Sequence, residues 1–149
     1  MKSMLVILMI TLAPFVFAGE KVLLDNEVQV VRSDFKEVHF RIPEEATGKI
    51  EFEGNFSTIG GLNDDITFMV FDQENYVRWF NQWKYKALVK KEKVKESDFR
   101  FDAQPGKTYY FVLNNFFSSV SGKRVKLQIK LITPDEEETQ SAPETETQP

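Results

Sequence analysis

The chain contains no cysteine. That excludes a disulfide framework, a lipid anchor on cysteine, a thiol nucleophile and a thiolate metal site. Histidine is almost as scarce. His39 is the single one, so zinc sites built from several imidazoles are excluded too. No serine lies in a Gly-x-Ser-x-Gly turn, and no long apolar run follows residue 18. Stability must therefore come from burial, and phenylalanine, with 14 copies, is the residue most able to supply it.

At 149 residues there is room for one domain with a real core. Its start reads differently from the rest. Lys2, an apolar stretch from Met4 to Phe17 and the small residue Ala18 have the layout of a secretory signal peptide cleaved after Ala18. The stretch is short for a bilayer, which needs about 20 residues. The expected localisation is exported, periplasmic or secreted, with no transmembrane segment in the mature chain. Charge is also uneven. The formal net charge is −4; without Lys2 it is −5, and without the acids Asp135, Glu136, Glu137, Glu138, Glu144 and Glu146 residues 19–132 stand at +1. The tail 133–149 is rich in Pro, Glu, Thr and Gln, carries no base and no large apolar group, and is expected to be disordered.

Between these ends the pattern is all-β. Val22, Leu24, Val28 and Val30 give short alternating runs. Lys36 to Ile42 puts Val38, Phe40 and Ile42 on one face and Glu37, His39 and Arg41 on the other. Ile50, Phe52 and Phe56 form a second apolar face. Asp65 to Asp72 is nearly continuous apolar, as in a central strand covered on both sides. Phe99 and Phe101, Tyr109 to Leu113, and Val125 to Leu131 supply the later strands, with turns at Pro43-Glu44-Glu45, Gly60 to Asp64, Gln104-Pro105-Gly106 and Ser121-Gly122. Seven or eight short strands argue for an antiparallel β-sandwich. Gln73 to Tyr85, with Tyr76, Phe80 and Trp83 at helical spacing, reads as one short helical turn or a long loop. Gly106 to Ile129 reads as the last hairpin.

The same stretch is the most specific. Gly106, Tyr109, Asn115, Ser118, Lys123 and Val125 stand where GOLD (Golgi dynamics) domains carry a Gly, a Tyr on the penultimate strand, an Asn, a Ser, a Lys and a Val on the final strand. Asn63-Asp64-Asp65-Ile66 resembles the Asp-Ile that opens a middle strand in that family. The resemblance spans residues 60–132 and implies a jelly-roll or GOLD-like sandwich acting as an interaction module without catalysis. A disulfide cysteine of the cargo receptors would fall at Val112, and their coiled coil and membrane span have no counterpart here. The expectation is therefore a free-standing exported relative. Tyr109 filling the core, Asn115 closing a corner and Ser118 capping a loop explain these positions as parts of the fold.

Candidate chemistry is sparse. His39 between Glu37 and Arg41 is expected to be an ordinary surface residue. Asn63, Asp64 and Asp65 offer oxygen ligands of the kind calcium takes, but there is no EF-hand spacing, and Asn-Asp after Gly-Gly is ordinary hairpin chemistry. No metal or cofactor is assigned, and Asn55-Phe56-Ser57 is a glycosylation sequon. The candidate ligand-binding segment is 76–95, with Tyr76, Arg78, Trp79, Trp83, Lys84, Tyr85 and Lys86 as its named residues, followed by Lys90, Lys91, Lys93 and Lys95 against one acid, Glu92. Aromatics interleaved with bases also suit nucleobases, but an exported chain seldom meets nucleic acid. Alternatively, the aromatics cover one end of the sandwich and the lysines protect an edge strand. The charge split further suggests that the acidic tail folds back over this strip.

The function expected from these features is non-catalytic extracytoplasmic recognition of a protein or cell-envelope component. The alternative is a carbohydrate- or anionic-lipid-binding module working through 76–95.

Overall fold

The structure, a computed structural model, describes residues 19–60 and 64–133. The expected signal peptide, the acidic tail and Asn63 lie outside the described residues. Eight strands and one helix follow in the order β1 (Gly19–Val30), β2 (Phe35–Arg41), β3 (Ile50–Thr58), β4 (Ile66–Asp72), α1 (Gln73–Phe80), β5 (Val89–Val94), β6 (Glu96–Ala103), β7 (Thr108–Asn114) and β8 (Lys123–Thr133). They form two four-stranded antiparallel sheets, β1-β8-β3-β6 and β2-β7-β4-β5. The all-β sandwich with one short helix agrees with the sequence reading.

The inner faces follow the alternation of the strands. Ile50, Phe52, Phe56, Val125, Leu127, Ile129 and Leu131 from the first sheet meet Phe40, Ile66, Phe68, Val70, Phe111 and Leu113 from the second, in one buried cluster. Aromatic rings carry the seam: Phe56 lies 4.7 Å from Phe68, Phe68 4.8 Å from Phe99, and Phe52 5.3 Å from Phe111. Edge-to-face and offset contacts of this kind add to what area burial alone provides.

Consecutive strands mostly sit in opposite sheets. The exception is β4 to β5, which stay together in the second sheet. The connection between them contains α1. The stretch Gly106 to Ile129 is consequently an arch between sheets and not the hairpin that its turn residues suggest. Asn115 makes the difference. Its side chain is fully buried, and Nδ2 donates to the carbonyls of Val31 at 3.3 Å and Ser121 at 3.0 Å, so the corner is tied across the sandwich edge and not to a neighbouring strand. The same topology places β3 and β4 in different sheets, so these two strands are not a hairpin.

The outer face of the first sheet is polar. Glu51 is its most engaged carboxylate, accepting from Lys49 Nζ at 2.8 Å and from Arg100, whose Nε stands at 2.8 Å. Lys49 first and Arg100 second hold the Glu51 carboxyl down at about 2, against an ordinary value of 4.5. A carboxyl whose folded value is depressed stabilises the fold above its unfolded value and loses that contribution as pH falls. Glu51→Gln should therefore lower stability at neutral pH and flatten the acid limb between roughly pH 4.5 and 2, read as unfolding midpoint against pH.

Gly54 sits mid-strand in β3 because nothing larger fits. A Cβ there would lie 2.0 Å from the carbonyl oxygen of Gln128 and 2.5 Å from the Phe99 ring. Backbone on one side and a core ring on the other cannot both yield. Gly54→Ala should cost about 2 kcal/mol or more, measured by urea denaturation.

Candidate functional site

The outer face of the second sheet is not polar, and this decides what segment 76–95 does. Met69, Phe71 and Val112 point outward and are buried all the same. Above them lie Phe35, Tyr76, Trp79, Tyr85, Ala87 and Tyr110. The cover begins at Asp72, whose side chain caps α1 by accepting from the Asn75 backbone N–H at 2.8 Å. Tyr76 then stacks flat on Tyr110 at 4.2 Å and 5°, and its hydroxyl donates to Glu37 at 3.3 Å. Burial first, and the Glu37 carboxylate second, push the Tyr76 phenol up, so it remains a neutral donor. Trp79 stacks on Phe71 at 5.6 Å and meets the edge of Phe35 at 5.1 Å.

The helix ends sooner than the spacing of Tyr76, Phe80 and Trp83 predicts. Asn81, Gln82 and Trp83 donate back to the carbonyls of Val77, Trp79 and Arg78, and Gln82 takes a positive φ of 59°. The left-handed residue turns the chain out of the helical path. Residues 81–88 then return across the sheet. Tyr85 sets its edge against Phe71 at 5.5 Å, the Lys86 N–H donates to Asn75 Oδ1 at 2.8 Å, and the Leu88 N–H donates to the Val70 carbonyl.

The seven candidate residues therefore separate into two groups. Tyr76, Trp79 and Tyr85 are half-buried parts of the cover. Arg78 is exposed and held by Glu74 at 2.9 Å, one helical turn away. Trp83, Lys84 and Lys86 face solvent, with Trp83 61% exposed. The lysines continue along β5, an edge strand, as the edge-protection reading expects.

A larger feature escaped the sequence reading. Phe35, from the start of β2, gathers Trp79, Phe80 and Phe116 around it at 5.1, 6.2 and 5.6 Å. Phe80 is 59% exposed and Phe116 52%. Phe117 and Val120 on the same arch are exposed as well, as is Val31 at the end of β1. Phe116-Phe117 directly after the Asn-Asn corner was the available signal, since two large apolar side chains on an inter-sheet arch cannot both reach the core. Their meeting with α1 depends on tertiary folding.

The other candidates are occupied. His39 is partly buried, not an ordinary surface residue: Nδ1 bonds to Glu37 and the ring lies 5.0 Å from Tyr110. Asp65 bonds to Lys123 Nζ at 3.1 Å and Asp64 faces Lys95 at 3.9 Å. Among the described residues no group of His, Asp or Glu side chains is placed to hold a metal ion. A pocket lined by Glu53, Gly54, Asn55, Asp98, Phe99, Arg100, Gln128 and Lys130 lies on the first sheet, away from the candidate segment.

The model of the emp24/gp25L/p24 family/GOLD matches residues 42–149. The chain belongs to this family. No curated protein matches it. Members of the family are non-catalytic domains of cargo binding and trafficking. The positions that carried the resemblance find their roles in this GOLD fold. Tyr109 is buried and its hydroxyl accepts from the Gln104 N–H at 2.8 Å, while Ser118 Oγ donates to the Ser121 carbonyl at 3.1 Å. Lys123 and Asp65, far apart in sequence, form a largely buried ion pair that joins the start of β8 to the start of β4. Among the described residues no helix is long and apolar enough to cross a membrane.

The two tryptophans should separate in stability. Trp79→Ala uncovers Phe71 and Phe35 and should cost about 2 kcal/mol. Trp83→Ala removes an exposed ring and should stay within about 0.5 kcal/mol. Urea unfolding of both variants tests the division.

Proposed function

We propose that this GOLD domain is an extracytoplasmic recognition module, without catalysis, that captures a protein or cell-envelope component through the aromatic end around Phe35. The observation that carries this reading is the exposure of Phe80 and Phe116, at 59 and 52%, where both meet Phe35. Large apolar side chains left together in water mark an interaction site, and aromatic anchors dominate recognition energetics. The signal-like residues 1–18 support export, to the periplasm or the medium.

A second reading has its own support. Trp83 stands beside Lys84 and Lys86, all exposed, which suits a carbohydrate face or an anionic lipid better than a protein groove.

Site-specific photo-crosslinking in the native host tests the first reading. A crosslinking residue in place of Phe80 should capture a partner, and the same residue in place of Lys126, on the outer face of the first sheet, should not. Equal capture from both positions, or none from Phe80, overturns it. Retention of the full chain in the cytoplasm overturns the extracytoplasmic part.

A further inference from the structure

Resting on the reading of the aromatic end as the recognition surface, we propose that this end docks on an anionic lipid bilayer, with Phe80, Phe116, Phe117 and Val120 entering the interfacial layer and the lysines of β5 facing the headgroups.

The shape of the surface is the first argument. Val31, Phe80, Phe116, Phe117 and Val120 are all exposed. They stand on separate connections brought to one end of the sandwich: the turn after β1, the C-terminus of α1 and the arch between β7 and β8. Val120 is 71% exposed and Phe117 37%. The connections are fastened to one another: Ser33 N–H donates to the Ser118 carbonyl at 2.8 Å, Asn115 holds the Val31 carbonyl, and Phe35 touches both Phe80 and Phe116. A fixed, protruding set of apolar tips matches a fluid, planar acceptor, which needs no complementary cavity. Aromatic side chains favour the boundary between headgroups and acyl chains.

Charge is the second argument. Lys93 lies with its ammonium 5.2 Å from the Phe117 ring, so the basic strip reaches the apolar tips directly. From Lys84 to Lys95 the strip carries six lysines against Glu92. Lysine stems can lie along apolar surface while the ammonium reaches lipid phosphate. The same strip argues against a second copy of the chain as the occupant. A two-fold contact through this end would set each lysine strip against its twin.

The test uses the chain purified from its host and vesicles of phosphatidylcholine mixed in equal parts with phosphatidylglycerol, compared with pure phosphatidylcholine, by flotation. Binding to the anionic vesicles should fall with added salt. Phe116→Asp with Phe117→Asp should reduce it at least about tenfold. Lys90→Gln, Lys91→Gln and Lys93→Gln together should reduce it by a similar factor and remove most of the salt dependence. Both sets lie at exposed or edge positions, and near-unchanged unfolding midpoints would establish that the fold is kept. Equal binding to neutral vesicles, or anionic binding that neither set alters, overturns the proposal. No vesicle binding alongside persistent capture at Phe80 also overturns it, but leaves the recognition surface intact with a protein as its partner. No vesicle binding and no capture removes both.

Discussion

Strand β4 is apolar on both faces, and much of what distinguishes this molecule follows from that. A sandwich sheet normally buries one face and wets the other. Here Met69 and Phe71 point outward with Val112 beside them, and leaving them in water would forfeit on the order of 2 kcal/mol for each large side chain. Something must lie over them. The chain supplies it between β4 and β5, the one consecutive pair that stays in a single sheet, by inserting α1 and the returning segment 81–88.

That solution also determines what is left exposed. A helix of eight residues presents only part of its surface downward, so Tyr76 and Trp79 are used on the sheet while Phe80 is carried to the rim. The return segment repeats the division, with Tyr85 against Phe71 and Trp83 in solvent. The rim then meets Phe35 and Phe116, and a structural cover grades into a surface with the features of a recognition site. Fold and candidate function share one set of aromatics. Membership of the emp24/gp25L/p24 family/GOLD, a family of non-enzymatic domains, accounts for the sandwich. It does not specify this rim, which rests on the particular side chains of α1 and the arch.

Much of the fold was legible in the residues. Alternation in β2, β3 and β8 marked the inner faces, and the nearly continuous apolar run Ile66 to Phe71 announced a strand covered twice. Tyr109, Asn115 and Ser118 took the structural roles their chemistry suggests. Pairing partners were not legible, because turn residues at Pro105-Gly106 or Ser121-Gly122 suit a hairpin and an inter-sheet arch equally. The buried contacts of Asn115 choose between them. Periodicity left Gln73 to Tyr85 as a helical turn or a long loop and could not foresee the left-handed Gln82 that follows the helix and turns the chain before Trp83. The candidate segment was the right neighbourhood, but burial divides it, and burial depends on what packs from elsewhere in the chain. Phe35 and Phe116 belong to the rim only because β2 and β7 are neighbours in the second sheet.

The central claim is that one aromatic segment is part cover and part exposed rim. Iodide quenching of two single-tryptophan variants tests it most directly. With Trp83→Phe, the remaining Trp79 should emit at shorter wavelength and resist iodide. With Trp79→Phe, the remaining Trp83 should emit near the wavelength of free tryptophan and be quenched readily. Equal, ready quenching of both would mean that α1 does not cover β4, and equal protection of both would mean that there is no exposed rim.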